Sequence, residues 1–227
     1  MINNKVLFIG NSFTYFNDMP NAIFAPMLKG AGICAEVYSV TKGGWSLSKF
    51  VDPTDEYGVE IRKMLAEHKF DAVVLQEQSH TPVSDPESFF SAVEALHKMI
   101  EENGARTYLY ATWGYSALHP KLSLYGADTL DMEKRLRDSY MKIAKRLGIT
   151  VCQVGAAMSY AYLHGVSGLY KEDHYHPDAC GSLIAAAVIF EGLFGNEPSI
   201  ADIGGVSLSC DEIKAVREAL AFAREVH

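Results

Sequence analysis

No pair of cysteines in this chain is spaced for a metal or a redox couple. Cys34, Cys152, Cys180 and Cys210 are scattered without a C-x-x-C, which excludes a zinc ribbon or a thioredoxin-like motif and leaves most of them as small core residues. Long basic runs are also missing, and the formal net charge is −8. A surface that neutralises phosphates is therefore not available, and nucleic acid is not an expected partner. No apolar stretch reaches the roughly 20 residues that span a bilayer, so no membrane partner is expected. The first residues lack the charged region and apolar core of a signal peptide. The expectation is a cytoplasmic protein, or an exported one if a leader has been removed. Internal repeats, low-complexity linkers and an H-E-x-x-H are absent as well. His174 and His176 stand two apart beside Asp173 and Asp178, whereas ligands on one element usually stand three or four apart. Neither a metal site nor a cofactor is expected.

What the chain does have is an alternation of apolar runs and amphipathic stretches. Strands are expected at Val6–Ile9, Ala35–Val40, Ala72–Leu75, Thr107–Ala111 and Thr150–Val154. Helices are expected over Met19–Gly30, Val59–His68, Phe89–Glu102, Met132–Leu147 and Asp178–Phe194. A capping-box pattern at Ser209-Cys210-Asp211-Glu212 starts a last helix through Ala223. This is the rhythm of βαβ units. Right-handed crossovers then favour a flavodoxin-like three-layer α/β/α sandwich, with a five-stranded parallel sheet in the order 2-1-3-4-5. At 227 residues the whole chain, 1–227, suits one domain. Thr112–Thr129 and Ala161–Glu172 break the rhythm and read as functional loops.

The order 2-1-3-4-5 makes the first strand central and puts its carboxyl end at the topological switch point, where open α/β sheets bind ligands. The first strand breaks there at Gly10-Asn11-Ser12-Phe13-Thr14, so the Ser12 hydroxyl lies on the turn into the next helix. Near the other end stands Asp173-His174-Tyr175-His176-Pro177. A serine hydroxyl needs a base to take its proton as it attacks a carbonyl. His176 is the candidate base, and Asp173 is the carboxylate that would orient its other ring nitrogen. Taken alone, D-x-x-H reads as a helix cap; coupled to Ser12, it reads as catalytic.

Ser12 in the first block and Asp173-x-x-His176 in the last resemble the SGNH (GDSL-type) hydrolase superfamily, and the likeness covers nearly the whole chain. The usual Gly-Asp-Ser is Gly-Asn-Ser here. The resemblance implies an oxyanion hole. Its donors would be the Ser12 N–H, a glycine of Thr41-Lys42-Gly43-Gly44-Trp45-Ser46, with Gly44 favoured over Gly43, and a side-chain amide after strand three. In place of the usual Gly-x-Asn-Asp stands Leu75-Gln76-Glu77-Gln78-Ser79-His80. A glutamine amide donates the same N–H as asparagine with one more methylene of reach. Similarity to the Gln-x-x-Ser stretch of the sialate O-acetylesterase and acetylxylan esterase branch points to Gln76. Alternation along an extended segment would put Gln78 on the same face, so both stay open, and Glu77 is a candidate to tie down the loop.

Trp45, Trp113 and Tyr115 follow strand ends on the presumed active face, where they could stack on a sugar ring or pack the core edge. The expected activity is hydrolysis of short acyl esters, acetyl above all, on a carbohydrate or similar small polar substrate. The alternatives are a lipase, thioesterase or acyltransferase with the same triad, and a non-catalytic carbohydrate-binding relative.

Overall fold

A computed structural model describes residues 4–200, 206 and 208–226. Five strands, β1 (Asn4–Gly10), β2 (Ala35–Thr41), β3 (Ala72–Leu75), β4 (Arg106–Tyr110) and β5 (Thr150–Cys152), form one parallel sheet in the order β2-β1-β3-β4-β5. This is the order read from the sequence. The helices are α1 (Ser12–Tyr15), α2 (Ala25–Gly30), α3 (Leu47–Val51), α4 (Glu56–Glu67), α5 (Thr81–Ser84), α6 (Pro86–Asn103), α7 (Thr129–Leu147), α8 (Val154–Leu163), α9 (Ala179–Phe194) and α10 (Cys210–Glu225).

Strand periodicity divides the core between the two faces of the sheet. Val6 and Phe8 of β1 point to one face, where α2, α8, α9 and α10 pack. Leu7 and Ile9 point to the other, against α3, α4 and α6. Each of these side chains is almost fully buried, a contribution of about 1.5–3 kcal/mol apiece. Helix α9 is apolar on every side because it lies inside its layer, with twelve buried residues in sixteen.

Register sets where the loops emerge. Gly10 pairs with Thr41 on one side of β1, and Ile9 pairs with Leu75 on the other. The chain therefore leaves β1, β2 and β3 at the same sheet end, with residues 11–12, 42–46 and 76–80 side by side. Gly10 is required there: a Cβ would sit 2.6 Å from Thr14 Oγ1 and 2.7 Å from Gln76 Oε1, closer than contact allows.

Several expectations need correction. The fifth strand stops at Cys152, and α8 occupies Val154–Leu163, of which Val154 was expected as strand and 161–163 as loop. Seven of its ten residues are buried and most of it is apolar, so no amphipathic period marks the helix. The stretch Met19–Gly30 is not one α-helix. A π-helical turn at Met19–Phe24 precedes α2, after a bend in which Asn17 and Asp18 take left-handed φ of 56° and 47°. Of the cysteines only Cys152 and Cys180 are buried; Cys34 and Cys210 are exposed. No helix among the described residues is long and apolar enough to cross a membrane.

Candidate active site

Asn11 caps α1 by accepting the Phe13 N–H on its side-chain oxygen, which puts Ser12 in the first helical position. The Ser12 hydroxyl lies 2.8 Å from His176 Nε2, across 164 positions of chain. His176 Nδ1 lies 2.6 Å from Asp173 Oδ2. Asp173 Oδ1 also accepts the N–H groups of Tyr175 and His176 at 3.2 and 3.0 Å. Partial burial pushes the Asp173 carboxyl up, but the hydrogen bonds from the His176 ring and these N–H groups outweigh it and hold the group below the usual carboxylate range. It therefore stays ionised where an imidazole needs a partner. With Asp173 on Nδ1–H, Nε2 is free to accept from Ser12.

The histidine loop is held from three sides. Trp113 Nε1–H donates to the Tyr175 carbonyl at 2.9 Å, and the Ser116 N–H donates to the His174 carbonyl at 2.9 Å. Asn17 Nδ2 donates to the Pro177 carbonyl at 3.1 Å and to Ser182 Oγ at 2.8 Å. His174 takes a left-handed φ of 67° inside this framework, a conformation such surrounding bonds can hold. Pro177 precedes the N-cap, Asp178, so it stands just outside α9.

The serine, the histidine and the second and third loops enclose a cavity of about 400 Å³. Gly44 lines it with φ +75°, a left-handed value that favours glycine. No hydrogen bond among the described residues takes up the N–H of Ser12 or Gly44. Gln78 lines the cavity too. Its Oε1 accepts from Thr81 Oγ1 at 2.7 Å, and its Nε2 is 3.1 Å from His80 Nε2. Burial, with Lys121 adding to it, lowers the His80 pKa. The ring then stays neutral and, with Nδ1 on Ser84 Oγ at 3.0 Å, accepts from Gln78. The second amide hydrogen of Gln78, a residue of the cavity wall, takes part in none of these bonds.

Gln76 does not reach the cavity. It is fully buried; its Oε1 accepts from the Asn11 N–H and Thr14 Oγ1, and its Nε2 donates to Asn11 Oδ1 and to the Glu77 carbonyl. The expected sharing of a face by Gln76 and Gln78 fails: the Gln76 amide is spent on Asn11, Thr14 and the Glu77 carbonyl, while Gln78 lines the cavity. Asn11 uses what an aspartate lacks: its Nδ2 donates to the Trp45 carbonyl at 3.0 Å. Glu77 does tie down the loop, accepting the Leu47 and Gln78 N–H groups. Burial pushes its carboxyl up to about 7 despite these bonds.

The three aromatics suggested for sugar stacking lie elsewhere. Trp113 is fully buried, flat against Phe13. Tyr115 is buried, with its hydroxyl on Ser79 Oγ at 2.7 Å. Trp45 is half-buried, bonded through Nε1 to Asp55 and packed against Tyr57, and it does not line the cavity. Tyr15, Phe16 and Tyr175 line it instead. Phe16 stacks on the His176 ring with centroids 4.4 Å apart. The signal for these was proximity: two directly follow the Ser12 turn and one precedes His176. A larger cleft of about 780 Å³ runs along β5 between α7 and α9 and holds none of these groups. No cluster of three or more His, Cys, Asp or Glu placed for a metal occurs among the described residues.

No family model and no curated protein matches the chain. Solved structures do. A protein from Slackia heliotrinireducens described as an SGNH hydrolase is 31% identical, with a TM-score of 0.75 over 84% of this chain and 99% of that one. A DUF4886 family protein from Bacteroides uniformis is 23% identical, with a TM-score of 0.79 over 96% and 93%. An acetyl xylan esterase is 17% identical, with a TM-score of 0.58 over 82% and 98%. The last two share the fold. The 31% identity of the first, over 84% of this chain and 99% of that one, makes this chain a member of the SGNH hydrolases.

Proposed function

We propose that the chain is a metal-independent serine esterase that removes short acyl groups, acetyl above all, from a carbohydrate or similar polar alcohol. The observation that carries this reading is the unbroken run of hydrogen bonds from Ser12 Oγ through His176 to Asp173, at 2.8 and 2.6 Å. Ser12 Oγ attacks the ester carbonyl as His176 Nε2 takes its proton. The carbonyl oxygen becomes an oxyanion, met by the N–H groups of Ser12 and Gly44 and by the Gln78 amide. His176 then gives the proton to the leaving alcohol, and an acyl-serine remains. Water, activated by the same imidazole, releases the acid.

The short-acyl preference is supported by the size of the cavity, about 400 Å³ including the room a leaving group needs. The open, aromatic side formed by Tyr15 and Phe16 suits a flat or ring-shaped alcohol. Ser12→Ala tests the reading: hydrolysis of p-nitrophenyl acetate should fall to background with the circular dichroism spectrum unchanged. Undiminished turnover would falsify the assignment of Ser12. A profile of acyl lengths tests the substrate class, since faster turnover of long-chain esters or thioesters would favour a lipase or thioesterase.

A further inference from the structure

The loops after β1, β2 and β3 are joined by a closed circuit of buried and half-buried hydrogen bonds. Asn11 holds Gln76 through paired backbone and side-chain bonds of 2.8 and 3.0 Å. It also holds the second loop through the Trp45 carbonyl. Glu77 closes the circuit: its Oε1 accepts the Leu47 N–H at 3.1 Å and the Gln78 N–H at 2.6 Å, and its Oε2 lies 3.2 Å from the same Leu47 nitrogen. The second loop is thus gripped at Trp45 and at Leu47, immediately after Gly44. The third is gripped at the backbone of Gln78.

Glu77 is a poor choice for stability alone. It is fully buried, and the charged group that acts on it, Asp85, is another acid. A buried carboxyl without a cation costs free energy that a neutral side chain of the same shape would not. Groups retained against stability are found where a site needs them. We propose that Glu77 is a positioning residue: by accepting the Leu47 and Gln78 N–H groups together, it sets the spacing of the Gly44 N–H and the Gln78 amide that receive the oxyanion. This rests on the serine-esterase reading above. Glu77 touches no reacting atom and acts only through the two loops.

The test uses the full chain with p-nitrophenyl acetate as substrate and phenylboronic acid as a mimic of the tetrahedral intermediate. Glu77→Met keeps the volume and removes the acceptor. It should lower kcat about 10- to 100-fold, the scale of a misplaced donor, leave KM within about twofold, and weaken phenylboronate binding by the same factor as kcat. Glu77→Gln keeps a carbonyl oxygen for both N–H groups and should stay within about threefold of wild type. Unchanged kcat in folded Glu77→Met would overturn the inference. So would a fall in kcat with undiminished phenylboronate affinity, or an equal fall in Glu77→Gln. Should the Met variant not fold, Glu77→Asp, which withdraws the carboxylate by one methylene, is held to the same criteria. An inactive wild type would instead sink the esterase reading itself.

Discussion

The indole of Trp113 lies flat on the ring of Phe13, with centroids 4.4 Å apart and planes 5° apart. Its Nε1–H holds the carbonyl of Tyr175, the residue before His176. One side chain thus joins the helix that carries Ser12 to the loop that carries the imidazole. Trp113→Phe keeps most of the stack and loses the N–H. The variant is expected to lose about 1 kcal/mol of stability by thermal unfolding and about tenfold in kcat, with KM little changed. A drop in stability without a drop in kcat would limit Trp113 to packing.

Asn11→Asp should damage the protein although it restores the residue usual in the family. The change removes the donor to the Trp45 carbonyl and sets a carboxylate against that oxygen. A loss of about 1–3 kcal/mol in denaturant unfolding is expected, together with slower esterase turnover. An equally stable and active variant would show that the Trp45 contact contributes nothing.

Gln76 and Gln78 should separate cleanly. Gln78→Ala is expected to lower kcat about 10²- to 10³-fold with little change in thermal midpoint, as removal of an oxyanion donor does. Gln76→Ala should chiefly lower the midpoint, because it strands the buried N–H of Asn11. The reverse pattern would return the donor role to Gln76.

Asp173→Asn tests the far end of the proposed triad. The amide can hold the ring, but in the wrong tautomer, so kcat should fall about 10³- to 10⁴-fold with near-normal folding. A fall of less than about tenfold would mean that the His176 ring is oriented by its other contacts.

Stability against pH should expose Glu77. Its folded pKa is about 7 against an ordinary 4.5, so between these values the folded state binds more protons than the unfolded one. Stability contributed by Glu77 is then full below about 4.5 and is lost as pH rises toward 7, by about 3 kcal/mol in all. Asp85 and the buried Tyr140 hydroxyl face the same carboxyl and stay in place in the comparison. Asp173 works in the opposite sense: its depressed pKa stabilises the fold above the ordinary aspartate value, and that stabilisation is lost on acidification. The difference between wild type and Glu77→Gln isolates Glu77, and a difference that is flat from pH 4.5 to 7 would contradict the shift.

The sheet and its order could be read from the chain because short strand-like runs alternate with helical stretches, several of them, such as α4, α6 and α7, with a clear period. The approach of Ser12 to His176 was expected because Ser12 stood at the switch point and, with Asp173-x-x-His176, resembled the first and last blocks of the SGNH hydrolases. Helix α8 was hidden by its own burial: a stretch apolar on every side carries no period to distinguish helix from strand. Trp113, Tyr115 and Gln76 were misplaced for a related reason. Position just beyond a strand end does not reveal whether a side chain turns toward the cavity or back into the core, and here all three turn back. Tyr15 and Phe16 line the site just before the chain bends through left-handed Asn17 and Asp18, two residues without a glycine's freedom to mark the bend.

Whether Ser12 is the activated nucleophile can be measured directly. The full chain is treated with a fluorophosphonate and digested, and the modified residue is located by mass spectrometry. The expected result is a single adduct on Ser12, formed far more slowly in His176→Ala. Absence of an adduct from folded protein, or an adduct on another serine, would contradict it.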